Sequence, residues 1–119
     1  MLLVLSGVKE KIVWTTHSKM KMRQYGFSEQ RVLRIMRRPE REEIGIAPKT
    51  IAAMQLTGTK KRPTEAWMMY QLVRTRVKNQ KPKLKKIKII SAWRYPGRTP
   101  KGARPIIPED VLRELKSSI

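Results

Sequence analysis

The hydrophobic period of this chain changes midway. Up to Pro39 apolar residues recur at the three- and four-residue spacing of a helix. From Thr50 onward they alternate with polar ones, as in strands with one covered face. Two periods in separate stretches of one short chain predict an α+β fold, with the helices packed on one face of a sheet.

The punctuation agrees with that division. Lys11–Thr16 is rich in β-branched and aromatic residues and reads as a first strand. Thr15 or Thr16 can cap a short helix over 17–25, which Gly26 stops. Ser18, Met22 and Tyr25 form its buried face, and His17 and Lys21 share the neighbouring one. Ser28 caps a second helix that carries Glu29 in its first turn and ends at Pro39. Phe27 and Val32 stand at the positions of a hydrophobic staple. Val32, Leu33 and Met36 make an apolar stripe, while Arg31, Arg34 and Arg38 share another face, open to solvent or to Glu40, Glu42 and Glu43.

Those glutamates read as a turn. After them come strands at 50–56, 64–73 and 86–95, joined by loops at 58–63 and 77–85. In the last strand the alternation puts Ile87, Ile89, Ser91, Trp93 and Tyr95 on one face. An antiparallel meander brings the 58–63 loop and the chain leaving Tyr95 to one end of the sheet. That end gathers Lys60, Lys61, Arg62, Arg94, Arg98, Lys101 and Arg104. The nearly pure basic loop over 76–86 falls at the opposite end. A last helix starts at Pro108, with Glu109 and Asp110 favourable to its dipole and Val111, Leu112 and Leu115 on its apolar face.

Charge narrows the function classes. Lys and Arg number 28 against 9 Asp and Glu, a formal charge of +19 over 119 residues. Such a surplus calls for a polyanion, so RNA or an acidic protein is the expected partner. Cysteine is absent and His17 is the single histidine, which leaves no thiolate nucleophile and no His- or Cys-based metal site. Neither a metal nor a cofactor is expected. No Gly-x-Ser-x-Gly, Walker loop or Gly-x-Gly-x-x-Gly run is present. The opening apolar run, Met1 to Leu5, is far short of the ~20 residues of a membrane span and has no basic stretch before it. A cytoplasmic protein with no membrane partner is expected.

Metal-free RNA cleavage uses the 2′-hydroxyl of the RNA as nucleophile. The protein supplies a base, an acid and cations around the phosphate. His17, Lys21, Arg94 and Tyr95 are the candidate catalytic residues. The cations would stabilise phosphate charge, and Tyr95 or His17 would move the proton. The alternative role for His17 is structural, at a helix start. Arg23, Arg31, Arg34, Arg38, Lys60, Lys61, Arg62, Arg98, Lys101 and Arg104 are the candidate phosphate contacts, and Trp93 a candidate stacking surface.

The run from Thr16-His17-Ser18 through Lys21, Arg23 and Tyr25 to Gly26-Phe27-Ser28-Glu29 resembles the opening of a small domain family of unknown function. That family is similar in layout to the BrnT toxins and, more distantly, to the RelE and ParE toxins. Ile87-Lys-Ile-Ile-Ser-Ala92 resembles a BrnT strand that reads Arg-Ile-Ile-Ser-Ala-Arg. Lys21 and Tyr25 stand where the family has helix arginines, and Trp93 where an arginine follows Ser-Ala. The resemblance covers 11–96. It implies a RelE/BrnT-like fold: β-α-α, then an antiparallel sheet of three to four strands. Residues 1–10 are then an N-terminal extension, and 97–119 a basic loop and C-terminal helix packed on the same domain. By the same resemblance the expected activity is that of a metal-independent endoribonuclease toxin acting on mRNA, with the ribosome and an acidic antitoxin as partners. Non-catalytic binding of RNA or the ribosome by the same fold is the alternative, and ParE-like inhibition of a protein target is a third.

Overall fold

The computed structural model describes residues 11–45, 49–102, 105 and 107–118. The extension over 1–10 and Arg104 lie outside them. The order is β1 (Lys11–Trp14), α1 (Thr16–Tyr25), α2 (Glu29–Arg37), β2 (Arg41–Ile44), β3 (Thr50–Gly58), β4 (Pro63–Arg74), β5 (Leu84–Pro96) and α3 (Glu109–Ser118). The strands form one mixed sheet in the order β1-β5-β4-β3-β2. β2, β3, β4 and β5 run antiparallel to their neighbours, and β1 joins parallel to β5. Four antiparallel strands thus follow the helices, within the expected three to four, and the first strand joins them as a fifth.

Local chemistry sets the helix ends. Thr15 caps α1, its side chain accepting from the Ser18 amide at 3.0 Å while its hydroxyl donates to the Ile89 carbonyl at 3.0 Å. One residue therefore starts the helix and ties it to β5. Gly26 ends α1 in the left-handed region, at φ 73°. Ser28 accepts from the Arg31 amide and caps α2.

The sheet is covered on both faces. α2 buries Val32, Ile35 and Met36 against Ala53, Met68, Tyr70, Ile87 and Ile89. On the other face Ile107 and Val111 pack on Met54, Trp67, Met69, Ile90 and Trp93. α1 takes a third position. β1 stops opposite Ile89, and α1 continues along the exposed edge of β5, so Tyr25 touches both cores. Both helices were expected on one face; α2 alone lies wholly there.

α2 crosses the strands instead of following them. Phe27, just before it, lies under the Arg94 guanidinium at 4.3 Å. At its far end the carbonyls of Arg38 and Arg34 accept from Gln55 Nε2 at 3.0 and 3.4 Å. Arg94, Ala66 and Gln55 are register neighbours on β5, β4 and β3. The helix thus crosses the sheet toward its 58–63 end.

Two expectations are corrected. Glu42 and Glu43 belong to an edge strand, β2, not to a turn. Acidic residues disfavour strands in isolation, but here Arg41 and Glu43 pair across the same face at 2.5 Å. The alternation in β5 also breaks. Met69 pairs with Ser91 and Tyr70 with Ile89, so Ile90 is a bulge residue. Ile87, Ile89 and Ala92 face α2, whereas Ile90, Trp93 and Tyr95 face the α3 side.

Candidate nucleic-acid interface

Of the four candidate catalytic residues, His17 and Arg94 bridge the seam between α1 and β5, Lys21 is buried on α1 beside α3, and Tyr95 lies on β5. His17 is 7% exposed, and its Nε2 lies 3.1 Å from Ser91 Oγ. Ser91 is fully buried, so this pair has the letters of a nucleophile and its base but no access for a substrate. Lys21 is 3% exposed. Its ammonium donates to Gln24 Oε1 at 2.9 Å, ion-pairs with Asp110 of α3 and sits 5.7 Å from the Tyr25 ring centre. Desolvation holds its pKa below the usual 10.5. Arg94 donates from Nε to the Tyr25 carbonyl at 3.1 Å and covers Phe27. Tyr95 is half-buried against the second core.

Candidate phosphate contacts fare differently. Arg23, Arg34, Arg38, Lys60, Lys61, Arg62, Arg98 and Lys101 are exposed, and Arg31 is half-buried. Among the described residues, none of Arg31, Arg34 and Arg38 ion-pairs with a carboxylate. Most of these cations share one end of the molecule. Lys60, Lys61 and Arg62 form the hairpin tip between β3 and β4. Gly58 starts that turn at φ 81°, and a Cβ there would sit 2.3 Å from the Arg62 carbonyl. The Gly97 amide donates to the Pro63 carbonyl at 2.7 Å, which brings the chain after β5 beside the tip. Arg98 then spans the hairpin, donating to the Thr64 and Thr57 carbonyls. α1 ends beside Arg94 and α2 lies across the neighbouring row, so their exposed arginines adjoin this end.

Trp93 does not join that surface. It is fully buried and stacks on Trp67, its register partner, with ring centres 6.0 Å apart and planes 3° apart. Its apolar area makes core, not a platform for bases.

Composition alone did not single out a buried polar cluster beneath the same end. Glu65 is 1% exposed. Its Oε1 accepts from Trp67 Nε1 at 3.0 Å and from Thr99 Oγ1 at 2.7 Å, and its Oε2 from the Thr99 amide at 3.1 Å. Arg41 donates to the Thr99 carbonyl at 3.1 Å, lies 3.8 Å from Glu65 Oε2 and covers the Trp67 ring at 5.1 Å. The sequence signal was a glutamate two residues before a tryptophan in an otherwise apolar strand, which puts both on one face. The cluster holds the 97–102 segment down on the sheet, and with it Arg98 and Lys101.

Among the described residues no three His, Cys, Asp or Glu side chains converge as a metal site, and no helix is long and apolar enough to cross a membrane. No protein-family model, curated protein or solved structure matches this chain.

Proposed function

We propose that this protein binds RNA without cutting it, through the hairpin end of the sheet. The observation that carries this reading is the split among its cations. Those on the hairpin and on the segment after β5, with Arg34 and Arg38 at the end of α2, are exposed at one end of the molecule, whereas His17 and Lys21 are buried in structural contacts. Exposed Lys and Arg neutralise phosphates with no reaction centre required. General acid–base catalysis needs a titrating group within reach of the substrate, and His17 and Lys21 are enclosed. The order of strand, two helices and antiparallel strands supports a RelE/BrnT-like plan, used here for binding.

The test is an oligouridylate of defined length, incubated with the protein in EDTA, with and without ribosomes. Binding is followed across a salt series and products are resolved on a gel. Affinity should fall steeply with salt while the RNA stays intact. A product ending in a 2′,3′-cyclic phosphate would replace this reading with the endoribonuclease one. Exchanging Lys60, Lys61 and Arg62 together for Gln should reduce the slope of log affinity against log salt by roughly one for each phosphate left without its cation. An unchanged slope would remove the hairpin from the interface.

A further inference from the structure

The other end of the α2-covered face is not covered by α2. The helix crosses at the row of Arg94, Ala66 and Gln55, and no α2 residue lines the surface beside Ile51 and Leu72, farther along β3 and β4. A groove of about 790 Å³ opens there. Its apolar lining is aliphatic: Ile44 of β2, Ile51, Leu72, Val77 and Pro82. Ile44 is 86% and Val77 52% exposed, unusual for side chains of this kind in contiguous array.

Cations ring this floor. Lys49, Arg74, Arg76 and Lys78 line the groove and are all exposed. Among the described residues none of the four ion-pairs with a carboxylate. The groove also borders β2, the last strand of the sheet, whose outer edge is paired with no strand among the described residues.

We infer that this groove is a docking site for an acidic, amphipathic polypeptide segment, whose apolar side chains enter the aliphatic floor and whose carboxylates meet the rim. Charge complementarity fixes the sign of the partner. The floor decides its class. A nucleic acid would match the rim equally well, but its bases gain most from aromatic platforms, and this lining has none. Aliphatic side chains spaced along a peptide fill such a floor, and an open strand edge adds main-chain hydrogen bonds. The site is separate from the proposed RNA surface, which lies at the other end of the sheet.

The probe is a fluorescein-labelled dodecapeptide of alternating Glu and Leu, titrated by anisotropy near physiological salt. Its control is the same peptide with Ser in place of Leu. The Glu/Leu peptide should bind about tenfold or more tighter than the control, since apolar anchors carry most of the energy at such sites. Ile44→Ser with Val77→Ser should abolish that advantage. Both positions are exposed, so the fold should persist, as circular dichroism would verify. Arg74→Gln with Arg76→Gln and Lys78→Gln should weaken both peptides, whereas Gln at Lys60, Lys61 and Arg62 should weaken neither by more than about twofold.

Equal binding of the two peptides, or an equal effect of the hairpin exchange, would reduce the groove to general charge attraction and overturn the proposal. Oligouridylate binding that depends on Ile44 and Val77 would reassign the groove to nucleic acid. Concentration-dependent dimerisation of the wild-type chain, abolished in the Ile44→Ser and Val77→Ser variant, would reassign it to a second copy. Failure of the hairpin exchange to weaken RNA would instead sink the RNA reading and leave the groove untouched.

Discussion

The two ends of the sheet carry similar charge and use it differently. At the hairpin end, three arginines are built into the fold, beside the exposed Lys60, Lys61 and Arg62. Arg98 is bonded to two strand carbonyls, Arg41 lies within the Glu65–Thr99 cluster, and Arg94 ties α1 to β5. At the opposite end, Arg74, Arg76 and Lys78 surround an aliphatic groove without a carboxylate partner among the described residues. Net charge alone therefore does not tell which arginines hold a structure and which await a ligand. The number of protein acceptors each one finds does.

Stability should separate the ends most sharply. Glu65→Ala removes the shared acceptor of Trp67 Nε1 and Thr99 and the more distant of the two carboxylates beside Arg41, which keeps Glu43. Stranding the buried Trp67 Nε1 and Thr99 donors costs roughly 3 kcal/mol in all. Urea unfolding should show that decrease. Gln at Arg74, Arg76 and Lys78 should shift stability by no more than about 0.5 kcal/mol, because exposed side chains without partners contribute little. Equal decreases at both ends would erase the distinction between them.

Binding should separate them next. Gln at Lys60, Lys61 and Arg62 should weaken RNA binding about tenfold at moderate salt, on the order of 1.4 kcal/mol. The groove pair, Ile44→Ser with Val77→Ser, should leave it unchanged. Filter binding of oligouridylate reads both. A fall in RNA affinity in the groove pair would merge the two surfaces into one.

The parts of this arrangement legible in the sequence are those decided within a few residues. Thr15, Gly26 and Ser28 fix helix ends by local bonding, and each does so in the structure. The strands after Thr50 alternate because their neighbours lie on both sides. β2 was illegible because its stability is borrowed from distant residues: Arg41 needs Thr99, and Glu43 receives the Gly102 amide. The bulge at Ile90 left no mark in composition, yet it moved Ile90 and Trp93 together onto one core. Burial of His17 and Lys21 follows from a further long-range event, the early end of β1, which lets α1 lie along the β5 edge. A polar helix face read locally as a site is then an internal seam.

That seam makes a smaller, specific prediction. His17→Ala removes a buried hydrogen bond to Ser91 and should destabilise the chain by about 1 kcal/mol. RNA affinity, measured well below the unfolding midpoint, should not change. A drop in affinity with stability intact would return His17 to the RNA site and weaken the division between seam and surface.

The smallest effect lies on the α2 side of the sheet and emerges only in alkali. Tyr70 is fully buried, and burial together with the neighbouring Glu42 carboxylate raises its phenol pKa above the ordinary 10.0. Below pH 10 both folded and unfolded chains keep that proton, so the group adds no pH dependence. Above pH 10 the unfolded chain ionises while the folded one stays protonated. The folded state then holds more protons, and stability falls with pH by about 1.4 kcal/mol per unit until the folded phenol titrates. Lys21 acts in the opposite sense. Its folded pKa lies below 10.5, so between the two values the unfolded chain holds more protons and stability rises. The two effects partly cancel in the wild type, which makes a bare alkaline curve uninformative. Tyr70→Phe removes only the first. Urea unfolding at pH 9 and pH 11 should therefore give a variant that loses about 1 kcal/mol less than the wild type across that interval. Parallel decreases in the two proteins would mean that the Tyr70 phenol is open to solvent, and with it the core that α2 closes.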